Sequence, residues 1–366
     1  MASTENTAKG ERIEILDRLR GFALLGILLM NFPGLAGVAS DSQPLLRSFL
    51  EILIKDSARP LFAAMFGISI ALIYDRTRER QRNPYPLLIR RLAILGIAGA
   101  VHGYAVWAGD ILMMFAMAGF VLLFFLKLQD KWLLLLGLAF WLLYTVGLDF
   151  LNHYTPYLFD LETGMKSLGG EGIPGYTYLL REFSSMVSHL GFFLLGKYMY
   201  RKEAFSYMEA NRRKMWVTAF FFFTVGFFGK TAMMEMPENL FINSLQTFFP
   251  FVLTIGVTIG VILLGTSPKR VSRLLHPFTA VGRTTFTNYL MQSVVFVTIF
   301  ANAGRTIFRD VGIWSDPGYY FALSIAVSLF LAQMIISHFW LKKFYYGPFE
   351  WVWRAGTHGK FVSFRR

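Results

Sequence analysis

The sequence predicts an all-α fold, a polytopic membrane bundle of about ten transmembrane helices. Three observations predict it. Of 366 residues, 55% are hydrophobic and only 16% charged, with a mean hydropathy of +0.46. A soluble domain sits near roughly 45–50% and about 25%. Apolar stretches approaching the length that spans a bilayer, about 20 residues, recur along the chain. The basic residues gather in alternate connecting segments. The composition excludes a disordered, collagen-like or coiled-coil chain. It also argues against a soluble globular one, whose surface could not hide so much apolar area. With no cysteine there is no disulfide, thiolate metal site or cysteine nucleophile.

Candidate spans run at 20–38, 60–74, 89–107, 110–127, 132–151, 183–200, 215–233, 241–265, 277–301 and 319–341. The second is short, and Pro60 suits its first turn, where a missing N–H costs nothing. The third and fourth join through a tight turn at Ala108-Gly109 and form a hairpin. The fifth, beginning at Trp132, is the cleanest. Residues 1–20 lack the positive n-region of a signal peptide, so the first span is expected to stay as a permanent helix. Gly96, Gly99, Ala100 and Gly103 read as a close-packing surface, and most aromatics as lipid-facing or interfacial.

Charge sets the orientation. With both termini inside, the inner segments carry 27 of the 36 Lys and Arg residues, as expected of cytoplasmic loops. Residues 1–19 are then a cytoplasmic N-terminus, 342–366 a cytoplasmic tail, and 1–366 one transmembrane domain. The block Arg76, Arg78, Arg80, Arg82, Arg90 and Arg91 reads as a loop facing anionic lipid, or as a landing site for an anionic cytosolic ligand. The net charge of +13 is therefore topological, and nucleic acid is not an expected partner. Residues 152–182 look like an acidic external loop.

Polar groups at membrane depth are costly and invite a functional reading. Asn31 falls inside the first span. Arg59 stands at the outer end of the second, His102 in the outer half of the third, and Asp110 opens the fourth. The hairpin lets His102 and Asp110 meet. A carboxylate beside an imidazole fixes its tautomer and raises its basicity, as a general base requires; a pair that only pins the hairpin remains open. Toward the inner face lie Asp17, Arg18, Arg20, Arg90, Arg91, Lys197, Arg283, Asn288, Gln292 and His338. Arg283 reads as several residues inside its span, and the step from Asn288 to Gln292 puts both on one face. Arginine forks suit phosphate; snorkelling to headgroups is the plain alternative for Arg20 and Arg91. No phosphate loop, dinucleotide fingerprint or metal-spaced cluster is present, so no metal is expected.

These residues resemble a family. Arg12 to Gly21 followed by Asn31, Arg59-Pro-Leu-Phe with Phe66-Gly67, and Arg90-Arg91 with His102 and Gly109-Asp110-Ile-Leu resemble the YeiB-type bacterial membrane proteins. So do Gly282-Arg283, Thr287-Asn288-Tyr289, Gln292-Ser293 and Tyr346-Gly347-Pro348-Phe349-Glu350-Trp351 with Trp353-Arg354. That family is similar to transmembrane acyltransferases such as heparan-α-glucosaminide N-acetyltransferase and the acyltransferase-3 type O-acetyltransferases. Arg20, ten residues, then Asn31 matches the Asn version of their first span. The lysosomal enzyme's His shortly after that Asn is missing, since no His lies between Asn31 and His102.

The resemblance implies a multi-pass protein of the bacterial inner membrane. It implies an acyl-CoA donor bound from the cytoplasm and an extracytoplasmic saccharide, lipid or small-molecule acceptor with a hydroxyl or amine. Arg20, Arg90, Arg91, Arg283 and Asn288 are expected to hold the CoA, Asn31 to donate to the thioester oxygen, and His102 with Asp110 to deprotonate the acceptor. Arg59 and Gln292 are expected on the acceptor. No permanently bound cofactor is implied, and a homodimer is compatible. A transporter of a small anionic or lipid-linked metabolite is the alternative, and a non-catalytic scaffold a third reading.

Overall fold

Hydrocarbon offers no water to bond a backbone amide, so a chain of this composition must satisfy its amides internally. The computed structural model describes residues 2–38, 44–54, 57–143, 147, 176–234, 236–237, 240–268, 270–313 and 318–366. These residues fold as helices, and the one isolated antiparallel bridge among them joins Phe344 and Arg365.

The helices are α1 (Ala2–Ala36), α2 (Pro44–Ile54), α3 (Ala58–Glu79), α4 (Tyr85–Ala105), α5 (Leu112–Leu122, extended by a 3-10 turn at Leu123–Phe125) and α6 (Asp130–Leu142). There follow α7 (Tyr176–Arg201), α8 (Ala204–Ala210), α9 (Arg212–Met234) and α10 (Leu240–Gly265). The last are α11 (His276–Arg283), α12 (Thr285–Phe300), α13 (Asn302–Asp310), α14 (Tyr319–Lys343) and α15 (Pro348–His358). Among the described residues, each predicted span is mainly helical. Among the described residues, six helical stretches are long and apolar enough to cross a membrane: Glu14–Ala36, Leu46–Glu79, Tyr85–Ala105, Arg212–Met234, Phe248–Gly265 and Tyr319–Lys343. There are seven if α12 and α13, which meet at a 48° bend, form one span. The protein is a multi-pass helical membrane protein. Residues 144–151 of the fifth predicted span, other than 147, lie outside the described residues. So does the acidic loop up to residue 175.

Two helices organise the packing. α1 lies against α3, α11, α12 and α14, and α7 against α3, α5 and α6. α4 with α5 and α9 with α10 pack as neighbouring pairs. Without a hydrophobic drive between helices in lipid, close backbone approach does the work. A Cβ on Gly67 of α3 would meet the backbone of Phe193 in α7, and one on Gly99 of α4 the backbone of Met113 in α5. Phe66, Phe115 and Phe193 then interlock, with ring centroids 5.0–5.5 Å apart.

Helix C-termini leave carbonyls without intrahelical donors. Buried and half-buried cations meet them here. Arg18 donates to Gly265 O and Arg212 to Leu263 O at the end of α10, and Lys197 donates to Leu126 O beyond α5. Lys197, a candidate polar-route residue in the sequence, is thus occupied as a cap.

The structure corrects one placement. The ninth predicted span, 277–301, breaks at Thr284 into α11 and α12. Arg283 therefore ends a short helix and is exposed, its guanidinium donating to Tyr345 O at 3.5 Å. Helical periodicity carries across the break and hides it. His338, on α14, is likewise exposed.

Gly67→Ala should force α3 and α7 apart, at a cost of order 1–3 kcal/mol for overpacking. The thermal midpoint in detergent measures it. Gly260→Ala is the control: nothing lies within 4 Å of its added Cβ, and its midpoint should hold or rise.

Candidate functional site

The turn after α4 places Asp110 ahead of the first residue of α5. Its Oδ2 accepts the Leu112 N–H at 3.0 Å and the Met113 N–H at 3.3 Å, satisfying donors that a helix start leaves free. Its Oδ1 accepts the Tyr289 hydroxyl of α12 at 3.0 Å, and that hydroxyl accepts the Ile111 N–H at 3.2 Å. His102 Nδ1 comes to 3.1 Å of Oδ1, with both side chains buried. The predicted meeting of His102 and Asp110 is thus present. It is a close approach without hydrogen-bond alignment, since neither ring nitrogen of His102 has a hydrogen-bond partner among the described residues.

Asp110 also forms part of the wall of a cavity of about 390 Å³. The cavity lies between α3, α5, α6, α7 and α10. Arg59, Glu182, Ser185, Ser188 and His189 supply its other polar side chains, and Trp141, Phe192 and Phe251 an aromatic wall. Trp141 and Phe251 have ring centroids 4.4 Å apart. Arg59 is where the sequence placed it, and its buried Nε has no partner among the described residues. His102 stands behind Asp110 and is not part of the wall. Asn31 is buried near the C-terminal end of α1, beside Phe32, which packs on Tyr319 at 5.0 Å.

Sequence reasoning missed His189. It lies at membrane depth in the sixth predicted span, the signal applied to His102. Its Nδ1 is 2.8 Å from Ser185 O, and its Nε2 has no partner among the described residues.

The opposite end of the bundle is cationic. Arg20 donates to Asp17 Oδ1 at 2.7 Å and to Ser69 Oγ at 2.6 Å. The Arg91 guanidinium lies 3.6 Å over the Trp353 ring of α15, whose indole N–H donates to Arg91 O at 2.8 Å. Arg20 and Arg354 are close enough to act on Arg91 electrostatically. Arg90 is exposed beside the end of α15. His358 is pushed below its ordinary value, first by burial and then by Arg354, Lys360, Arg91 and Arg90. These basic groups share one face, capped by the predicted C-terminal tail, which is an ordered helix packed on α4 and α12.

Asn288 and Gln292 are occupied. The Asn288 amide donates to Thr284 Oγ1 at 2.9 Å and Ser337 Oγ at 3.0 Å, and Gln292 donates to Gln333 Oε1 at 2.9 Å. Gln333 returns a bond to Asn288 O at 2.9 Å. The shared face predicted from their spacing exists, and it ties α12 to α14. Nearby, Glu350 of α15 accepts the Phe286 and Thr287 N–H groups at 2.6 and 3.0 Å and the Thr287 hydroxyl at 2.6 Å. Burial raises its carboxyl above the ordinary value, with these bonds opposing. Among the described residues no group of His, Asp and Glu could hold a metal ion.

Fold and site together define a multi-pass helical membrane protein with a buried polar cavity at one end and a cationic face at the other. Residues 12–220 match the catalytic family of heparan-alpha-glucosaminide N-acetyltransferase, and residues 199–360 match the protein family of unknown function DUF418. The first match covers more than half of the chain, and the chain belongs to that family, with the second forming its C-terminal part. It is 28% identical to the uncharacterized protein YxaH of Bacillus subtilis (strain 168), over 98% of this chain and 97% of that one. It is 24% identical to the uncharacterized protein YeiB of Escherichia coli (strain K12), over 95% and 96%. The YeiB-type resemblance read from the motifs is borne out.

Tyr289→Phe should cost about 1–3 kcal/mol, because it leaves the Ile111 N–H without its acceptor and removes a donor from Asp110. The thermal midpoint of the detergent-solubilised protein checks this. Glu350 gives a pH prediction. Its folded value lies above its unfolded one, so the folded state holds more protons in the window upward from about 4.5. Its contribution to stability is full below that window and lost as pH rises through it. Glu350→Gln should flatten that part of the midpoint-against-pH curve.

Proposed function

We propose that this protein is a membrane-embedded acyltransferase that takes an acyl group from cytoplasmic acyl-CoA and passes it to a hydroxyl or amine of an extracytoplasmic acceptor. The observation that carries this reading is the match of residues 12–220 to an acetyltransferase catalytic family. That stretch contains Arg20, Arg90 and Arg91 at one end of the bundle and the Asp110 cavity at the other. In this reading ten spans place both termini in the cytoplasm of a bacterium, with the protein in its inner membrane.

Each part has a chemical role. Arg20, Arg90, Arg91 and Arg283 hold the CoA phosphates, as guanidinium forks do. Asn31 donates to the thioester oxygen as charge develops on it. Asp110, fixed by four contacts, orders the acceptor end with His102, and Arg59 binds an anionic group of the acceptor. The occupied amides of Asn288 and Gln292 support the reading indirectly, by holding α12 so that Tyr289 reaches Asp110.

Titration of the purified protein with acetyl-CoA tests the donor site. Arg20→Ala and Arg91→Ala should each weaken binding by roughly 10- to 100-fold, the worth of a charge-assisted contact at about 1.4 kcal/mol per decade. Binding should also weaken as salt rises. A transporter without covalent chemistry releases no CoA thiol when an acceptor is supplied. Absence of acetyl-CoA binding, or binding indifferent to both substitutions, removes the proposal.

A further inference from the structure

We infer that His189 is the base that takes the acceptor's proton, in a cavity where Arg59 holds the acceptor's anionic group. This rests on the acyltransferase reading above and gives it an acceptor subsite. The argument begins with the imidazole. His189 is 7% exposed, and its Nε2 is buried without a hydrogen-bond partner among the described residues. Such a group at membrane depth is costly unless something meets it. Its Nδ1 lies 2.8 Å from the carbonyl oxygen of Ser185, which can only accept. The Nδ1 therefore carries the proton and Nε2 the lone pair. Ser188 Oγ, 3.1 Å from the same carbonyl, can donate to it as well.

The cavity supplies the second observation. His189 is part of its wall, and so is Arg59, whose buried Nε lacks a partner among the described residues. A lone-pair nitrogen and a cation thus share one small space. The carboxylates there are Asp110 and Glu182. Asp110 is taken up by Tyr289, two backbone N–H groups and His102. His102 is not in the wall, which leaves it as a positioning residue for Asp110. At about 390 Å³ the cavity is at the small end of ligand sites, whose usual range is about 300–1,000 Å³. It fits a molecule of monosaccharide or amino-acid size, or a headgroup of that size.

The step balances. Nε2 takes the proton of the acceptor hydroxyl or amine as its oxygen or nitrogen bonds to the thioester carbonyl carbon. The carbon–sulfur bond breaks, and the leaving CoA thiolate takes the proton from the imidazolium. The products are the acylated acceptor and CoA thiol, with the imidazole restored.

The test uses full-length protein in nanodiscs, with two readouts. Diethyl pyrocarbonate modifies the imidazole nitrogens it can reach, and mass spectrometry maps the sites. His189, in the cavity wall, should react before His102, which is not, and sn-glycerol 3-phosphate should slow it where glycerol does not. The phosphate protection should vanish in Arg59→Ala. The second readout is CoA thiol released from acetyl-CoA, which is unobscured because the chain has no cysteine. His189→Gln should lower the rate by roughly 10²-fold or more, the usual share of a general base, with acetyl-CoA affinity unchanged as the check on folding. If the protein binds acetyl-CoA but His102 reacts first, or phosphate gives no protection, or His189→Gln releases CoA at the wild-type rate, this inference falls alone. Protein that binds no acetyl-CoA removes the acyltransferase reading, and the role of His189 with it.

Discussion

The carboxylate of Asp110 is the constraint on which the cavity end of the bundle depends. A charge at that depth is tolerated only if its lone pairs are matched. Two helices match it: α5 through two backbone N–H groups and α12 through the Tyr289 hydroxyl, while α4 brings His102 Nδ1 to 3.1 Å of the same carboxylate. A group that must be satisfied by separate elements fixes their relative positions. The same carboxylate forms part of the cavity wall, so the shape of the cavity is set by the group that cannot be left unpaired.

The cationic end follows the same logic, again through a carboxylate. Glu350 bonds the N-terminal turn of α12, where the helix dipole favours a negative charge. That holds α15 against the bundle, and α15 in turn presents Trp353 to the Arg91 guanidinium. The Asn288, Gln292, Gln333 and Ser337 network then ties α12 to α14. One helix, α12, thus connects the cationic face to the Asp110 cluster. It is also the helix that the chain breaks at Thr284, which lets α11 pack on α1 while α12 takes its own direction.

Much of this was legible in the sequence because it is local. Apolar length marks the helices, and an eight-residue hairpin brings His102 to Asp110 whatever surrounds it. Arg59 at a helix start is local in the same way. The break at Thr284 was hidden, because apolar periodicity runs through it. Asn288 and Gln292 read as ligand groups because their partners, Gln333 and Ser337, lie some 40 to 50 positions away. The cavity draws on five helices spread from Arg59 to Phe251. No spacing rule reaches that far, so His189 gained its meaning only from its neighbours in space.

Between the two polar ends lies a layer of phenylalanine. On α3 the order is Pro60, Phe66, Ser69; on α5 and the turn before it, Asp110, Phe115, Leu122; on α7 it is His189, Phe193, Lys197. In each the aromatic ring separates the cavity end from the cationic end, and the three rings pack together. A solute that crosses as an anion needs polar groups along its whole path, because hydrocarbon and benzene rings give it nothing in exchange for water. An acyl chain and a thioester need no such groups. A charged handle held at one end, an apolar layer, and a polar cavity beyond it are therefore better matched to handing over an acyl group than to conducting an ion. The Phe66, Phe115 and Phe193 layer favours transfer over transport, because a cationic face alone fits either one.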